Sequence, residues 1–323
     1  MPIRSTRNLE SYYDRFITSG AGGPEGVAPA ANPNYGARGI WASGTDSGGE
    51  SNVIDYINIS TTGDATDFGN LQHGRRATGA CSNSTRACWG GGYDSNSGPF
   101  RDEIDYITTA STGNASDFGN LSVARYALSA LSNATRGVWC NGQDTPGYLN
   151  TMDYVTISST GNATDFGDTT YSGRAIWCAA NNDRGLIGGG TPSTDRIEYI
   201  DPSSTGNASD FGNMTETACG YTAASTGIDM TRGVYGGGQP SGSTIGYVTI
   251  ATTGNASDFG DMHVARQGHG ACTNDTRMTS GGGNADSGSS YIVDIEYLTV
   301  ATTGNGTDFG DLTVGRWYTA ATS

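Results

Sequence analysis

Lysine is absent from this chain of 323 residues, so arginine alone carries its cationic side-chain charge. The 17 arginines face 32 acidic residues, for a formal net charge of −15. A surface of that sign does not suit a nucleic-acid backbone, and no nucleic-acid partner is expected. No run of about 18 apolar residues occurs, which excludes a helical membrane span. The N-terminus lacks the basic-then-apolar pattern of a secretory signal. The Asn-x-Ser/Thr triplets at Asn114, Asn162, Asn207 and Asn255 are therefore read as turns, not glycan acceptors.

Catalytic and metal-binding signatures are equally scarce. His73, His263 and His269 are the only histidines, and none stands at metal-ligand spacing beside carboxylates. There is no Cys-x-x-Cys pair and no Gly-x-Ser-x-Gly elbow. The expectation is a chain with no metal, no cofactor and no catalytic residue. Of the six cysteines, Cys81 and Cys272 hold the place that other repeats fill with Leu131 and Ala179. A site that accepts Cys, Leu or Ala is a small apolar core site, so buried free thiols are expected rather than a disulfide framework.

What the chain has in abundance is repetition. The phrase Thr-Gly-Asn-Ala-Ser-Asp-Phe-Gly-Asn-Leu at 112–121 occurs, with small changes, six times in all, its Thr-Gly falling at 62, 112, 160, 205, 253 and 303. A period of 45 to 50 residues marks a solenoid, propeller or array. Within Ala124–Asp168 the pattern reads as a strand of small residues, a turn at Asn133, and a second strand from Arg136. A loop, an alternating β-branched strand around Tyr154 and a short strand at Asp-Phe-Gly follow. Four short antiparallel strands make one propeller blade. Second strands begin near Arg38, Arg86, Arg136, Arg184, Arg232 and Arg277, and third strands carry Tyr56, Tyr106, Tyr154, Tyr199, Tyr247 and Tyr297, which makes six of each. The first repeat lacks a first strand, and the C-terminal Gly315–Ser323 is a first strand with nothing after it. The two ends complement each other, so the fold class is an all-β, six-bladed propeller closed by N- and C-terminal strands.

Residues 1–35 differ. Leu9, Tyr12, Tyr13, Phe16 and Ile17 fall on one face of a short helix, and a Gly/Pro-rich linker follows. So short a helix is marginal alone in water and needs a surface, either its own propeller or another subunit. The reading is a partner-docking arm at 1–35 and a propeller at 36–323.

The order of a small-residue strand, a hydrophobic strand ending in glycines, a Tyr-bearing strand and an outer-strand aromatic resembles kelch repeats. His269 in Ala265-Arg-Gln-Gly-His-Gly fits the kelch Arg-x-x-His start. The chain departs from kelch in having Phe68, Phe118, Phe166, Phe211, Phe259 and Phe309 for Trp, and Gly-Gly-Gly for Gly-Gly. Kelch likeness implies a propeller used for binding. The phrase is also similar to repeat tracts of virion structural and tail-fibre proteins of marine bacteriophages, cyanophages included. That resemblance implies a particle component, located on the virion, whose partners are other virion proteins or a host surface glycan or protein.

Two arginine sets invite a role. Arg75, Arg125, Arg266 and Arg316 stand seven residues after the phrase's Phe, with Arg174 one residue later in its repeat. In a kelch-like blade they open the innermost strand, at the channel mouth, where forked guanidiniums bind carboxylated or sulfated groups. The competing expectation is that each pairs with Asp55, Asp105, Asp153, Glu198 or Glu296 on a third strand. The second set, Arg38 to Arg277, is expected to clamp the Asp of Asp-Phe-Gly, for example Asp117. Asp-Phe-Gly itself is not a kinase motif here, since no lysine exists for a nucleotide site. The loops between second and third strands are the unequal part of the repeats, and recognition is expected there. The functional expectation is a non-enzymatic virion surface protein. A purely structural assembly protein and a glycan-active enzyme stand as alternatives.

Overall fold

The computed structural model describes residues 37–96, 98–218, 223–224, 231–239, 242–285 and 291–323. The chain divides into two units, Met1–Pro33 and Asn34–Ser323. The first, with the docking-arm residues Leu9, Tyr12, Tyr13, Phe16 and Ile17, lies outside the described residues.

Six four-stranded antiparallel sheets form the six blades, and no helix occurs among the described residues. Blade 1 comprises Arg38–Ala42, Val53–Asn58 and Thr66–Asn70, with the C-terminal Ala320–Thr322 as its innermost strand. Its closing register runs Ile40↔Thr322, Trp41↔Ala321 and Ala42↔Ala320. Blade 2 holds Gly79–Ser82, Arg86–Gly90, Glu103–Thr108 and Ser116–Asn120. Blade 3 holds Ser129–Ser132, Arg136–Gln143, Tyr148–Thr156 and Thr164–Gly173. Blade 4 holds Trp177–Ala180, Gly185–Gly188, Thr194–Ile200 and Ser209–Ala218. Blade 5 holds Ala223–Ala224, Arg232–Gly236, Gly242–Thr249 and Ser257–Arg266, and blade 6 Gly270–Asn274, Arg277–Gly281, Asp294–Thr299 and Thr307–Asp311. The ring thus closes with three strands from one side of the chain and one from its end, and leaves no innermost edge free.

The inner strands are mostly small residues because six strands converge on one axis, and the large Leu131 and Trp177 are packed in the apolar clusters between blades. The inner strands surround a channel cavity of about 90 Å³. Between blades the second strands carry the bulk. Trp41, Trp89 and Trp139 are fully buried, and each indole reaches back to the preceding blade's inner strand, donating to Gly270 O, Ala320 O and Gly79 O. A Cβ on Gly90 would lie 2.7 Å from the Trp139 Nε1, so the glycine-ended strand is what admits the next blade's indole. Cys81, Cys88, Cys140, Cys178 and Cys272 are buried free thiols in this packing.

The repeated phrase is an inter-blade clasp. In each blade the register slips at Asp-Phe-Gly, for example Ile104↔Gly119 followed by Asp105↔Asp117, so Phe118 is the extra residue of a bulge. The bulge turns the ring inward, where it is buried and meets the third-strand tyrosine edge to face, with centroids 5.7 Å apart for Tyr106–Phe118. The Thr-Gly-Asn half docks on the preceding blade. Gly113 N donates to Phe68 O at 2.8 Å, and the Asn114 side chain accepts from Asn70 N at 3.1 Å. The same pair of bonds recurs around the ring and closes it, with Gly63 N on Phe309 O and Asp64 Oδ1 on Asp311 N. The glycine after the Phe is required by this contact. At Gly119 (φ +145°) a Cβ would stand 2.4 Å from Gly161 O of the next blade.

The second arginine set does not clamp the phrase's aspartates as expected. Each guanidinium lies instead over the third-strand tyrosine of its own blade, from 4.5 Å for Arg136–Tyr154 to 4.7 Å for Arg38–Tyr56. Each also donates to a carbonyl of the following blade, as Arg38 does to Thr109 O and Arg232 to Val300 O. The physical reason is reach. Arg38 pairs with Asn58, two residues from Tyr56, so the two side chains are diagonal neighbours on one face. The phrase's aspartates, Asp117 among them, remain exposed on the outer strand.

Candidate binding face

The connection from each outer strand to the next inner strand makes the channel mouth, and three successive positions in it do different work. The first, seven residues after the Phe, is a staple. Arg75, Arg125, Arg266 and Arg316 are wholly buried, with no side-chain exposure. Arg125 meets Asp153 at 2.7 Å, Arg316 meets Asp55 at 2.7 Å and Arg75 meets Asp105 at 3.2 Å. Three of them also reach the second-strand carbonyl beside the Trp: Arg75 to Trp89 O, Arg125 to Trp139 O and Arg316 to Trp41 O. Arg266 pairs with Asp294 and lies 4.0 Å from Glu296. Burial pushes the Asp55, Asp105 and Glu296 carboxyls up from their ordinary values, against the pull of the facing guanidiniums. These four forks join connection to blade, and their donors point inward.

Arg174 is not a member of that set. Its repeat places Gly173 at the staple position, and Glu198, the acid waiting there, is served by Thr170 N and Oγ1 and by Arg196 at 3.6 Å. The next connection carries Ala218 at that place, and the blade it enters has Gly246 where the acid would be. Both charges of the pair are missing together. The space over Gly246 is taken by Tyr235, whose hydroxyl would lie 2.3 Å from a Cβ there.

The second position differs among the repeats: in the five where it is described it is Arg76, Tyr126, Arg174, Gln267 and Trp317, with Arg occurring twice. Each forms a two-bond antiparallel bridge to a residue at or beyond the end of a second strand, namely Tyr93, Gln143, Thr191, Asn284 and Thr45. Identical backbone geometry therefore presents different side chains around the mouth. The third position is left-handed. Ala77, Ala127, Ala175 and Tyr318 have φ between 54° and 58°, and Gly268 has 64°. Their amides form part of a hoop, Ala77 N to Tyr318 O, Ala127 N to Ala77 O and Ala175 N to Ala127 O. This hoop is what holds the variable positions in register.

On one side of the mouth those side chains make a cluster of aromatic rings and guanidiniums. Phe100 and Tyr126 stack at 5.3 Å and 15°, and Tyr93 meets both edge to face. Arg76 lies over Tyr93 at 4.6 Å and is paired with Glu50 at 3.3 Å. Arg174 donates to the Tyr126 hydroxyl and to Gln143 Oε1, and sits 5.6 Å from the Tyr126 ring and 5.7 Å from the Tyr148 ring. Blade 3 lengthens its central hairpin, which lifts Tyr148 beyond the face and leaves it 38% exposed. Further round, Trp317 and Tyr318 stack at 3.8 Å.

Sequence reasoning placed five arginines together at this mouth. The structure separates them, with four in buried pairs and Arg174 in the variable ring. The aromatic members Tyr93, Phe100, Tyr126 and Tyr148 were not singled out, although their signal was present, since they lie where repeats differ. His269, the kelch-like histidine, lines the channel cavity and a second void shared with Ser280. Both its ring nitrogens are buried without a partner, and burial lowers its pKa to about 3, so the ring is neutral. Among the described residues, no group of three His, Cys, Asp or Glu side chains is arranged to hold a metal ion. No protein-family profile matches the chain, and no curated protein matches it.

Proposed function

We propose that the chain is a non-enzymatic binding propeller of a virion, with residues 1–35 docking it on the particle and the face of unequal loops meeting a partner. The observation that carries the binding reading is the aromatic and guanidinium cluster around Tyr126. It breaks the six-fold repetition on a face whose backbone is repetitive, and a rigid scaffold with variable surface side chains is the usual form of a recognition site. The assignment to a virion rests on the resemblance of the repeated phrase to phage structural repeats, and the docking role of Leu9, Tyr12, Tyr13, Phe16 and Ile17 on their helical spacing alone. Photo-cross-linking from position 148, on the loop face, and position 159, in the third-to-fourth-strand turn, tests the binding reading in the assembled particle exposed to host envelope. Cross-links confined to position 148 support it, and cross-links only from 159 overturn it. Deleting residues 1–35 is expected to leave a folded propeller that no longer enters the particle. Incorporation of the truncated protein would refute the arm.

A further inference from the structure

We infer that Arg174, with the rings of Tyr126 and Tyr148, forms a subsite for an anionic sugar residue, one bearing a carboxylate or a sulfate. The inference rests on the binding reading above and names the ligand of that face.

Three observations converge on Arg174. The first is its charge environment. In a chain of net charge −15, each of the other described arginines at this end of the blades, namely Arg75, Arg76, Arg101, Arg125, Arg196, Arg266 and Arg316, has a carboxylate oxygen within 4.0 Å. Arg174 has no such ion pair among the described residues, because the acid of its repeat, Glu198, is already taken by Thr170 and Arg196. The second is immobilisation without neutralisation. Its Nη1 is held by two neutral groups, the Tyr126 hydroxyl and Gln143 Oε1, and its Nε is buried with no acceptor. A guanidinium so held has a fixed orientation and, among the described residues, no carboxylate beside it, the state in which it binds a carboxylate or sulfate with least ordering cost.

The third is the flanking surface. Tyr126 is locked by its stack on Phe100, and Tyr148 stands exposed on the raised blade-3 hairpin, so two aromatic rings lie within 6 Å of one fork. Flat rings beside a single cationic fork suit a pyranose, whose C–H face packs on an aromatic face while its acid group meets the guanidinium. A peptide would call for an apolar groove or an open strand edge for backbone pairing. This cluster presents plates and one fork instead. Arg76, similar in setting, is not the subsite, because Glu50 already satisfies it.

The test uses the full chain and calorimetric titration with oligogalacturonate, a sulfated galactan oligosaccharide, neutral galactan and polyglutamate. Binding of one or both anionic oligosaccharides, with neutral galactan at least about tenfold weaker, is expected. Arg174→Gln should remove that preference, and Arg174→Lys, which keeps the charge and loses the fork, should fall between. Tyr148→Ala should weaken all sugar binding, and Asp117→Asn on the outer strand should change nothing. Unchanged thermal unfolding of the Arg174 variants shows that the losses are local. Equal binding by Arg174→Gln, no binding of either anionic sugar, or binding of polyglutamate alone would overturn the inference. If those sugars fail while position 148 still cross-links to a partner in the particle, the sugar subsite falls and the binding face stands.

Discussion

A buried arginine in this ring is a stapled charge, and its value depends on its partner's remaining in place. Removing the guanidinium of Arg125 leaves the Asp153 carboxyl buried without its partner, the costly half of an ion pair. Arg125→Ala is expected to lower the unfolding free energy by about 3–5 kcal/mol, measured by urea denaturation. Arg125→Met combined with Asp153→Leu should recover most of that loss, because blade 5 already does without both charges and fills the space with Tyr235. His269 works in the opposite sense to a staple. Its folded pKa of about 3 lies below the ordinary 6.5, so the neutral ring contributes stability above pH 6.5 that is lost as pH falls towards 3. The slope is at most about 1.4 kcal/mol per pH unit. Urea midpoints at pH 7 and pH 5 should therefore move further apart for the wild type than for His269→Leu, and equal separations would show that the ring is not buried neutral. At this scale the sequence was partly legible. The acids for the first arginine set were readable from their constant place on the third strand. The tyrosine partners of the second set were not picked out, because a diagonal cross-strand contact leaves no short spacing. The one-residue offset of Arg174 was a visible sign that it belonged elsewhere, but its meaning depends on a bridge to a loop 17 residues away (Arg174 to Thr191).

At the scale of the element, the phrase carries two functions that fall in different interfaces. Its Gly-Asn end plugs into the blade before it, and its Phe-Gly end receives the blade after it. Gly113 and Gly119 show the difference. Both have positive φ, +156° and +145°, but a Cβ on Gly113 meets nothing within 4 Å, whereas one on Gly119 meets Gly161 O at 2.4 Å. Gly113→Ala should cost about 1–2 kcal/mol of backbone strain. Gly119→Ala should cost a further 1–3 kcal/mol, roughly, for the clash with the next blade. Thermal unfolding of the two variants side by side measures the clasp, and equal losses would mean that the close approach carries no energy. The strands themselves were well marked by composition and turns. The division of the phrase between blades was not, since six near-identical copies give no indication of which copy each half touches.

The propeller is a ring whose last strand lies in its first blade, and that architecture followed from counting incomplete repeats at the two ends of the repeat region. Removing Tyr318–Ser323 deletes the inner strand Ala320–Thr322 and opens the edge of Arg38–Ala42. The shortened chain is expected to unfold at a lower temperature and to self-associate in sedimentation experiments. A synthetic peptide spanning residues 316–323, added in excess, should reverse part of both effects. A monomer with unchanged melting would show that the closure contributes no stability.

The clasp has a consequence for how such a chain can change. Since every phrase ends one interface and begins the next in the same ten residues, a crossover inside any two phrases leaves each plug facing a socket. What travels in such an exchange is everything between: one loop, one bridge residue, one section of the mouth. The repeat that looks like monotony is thus a standard coupling, and the binding surface is a set of interchangeable cartridges mounted between couplings.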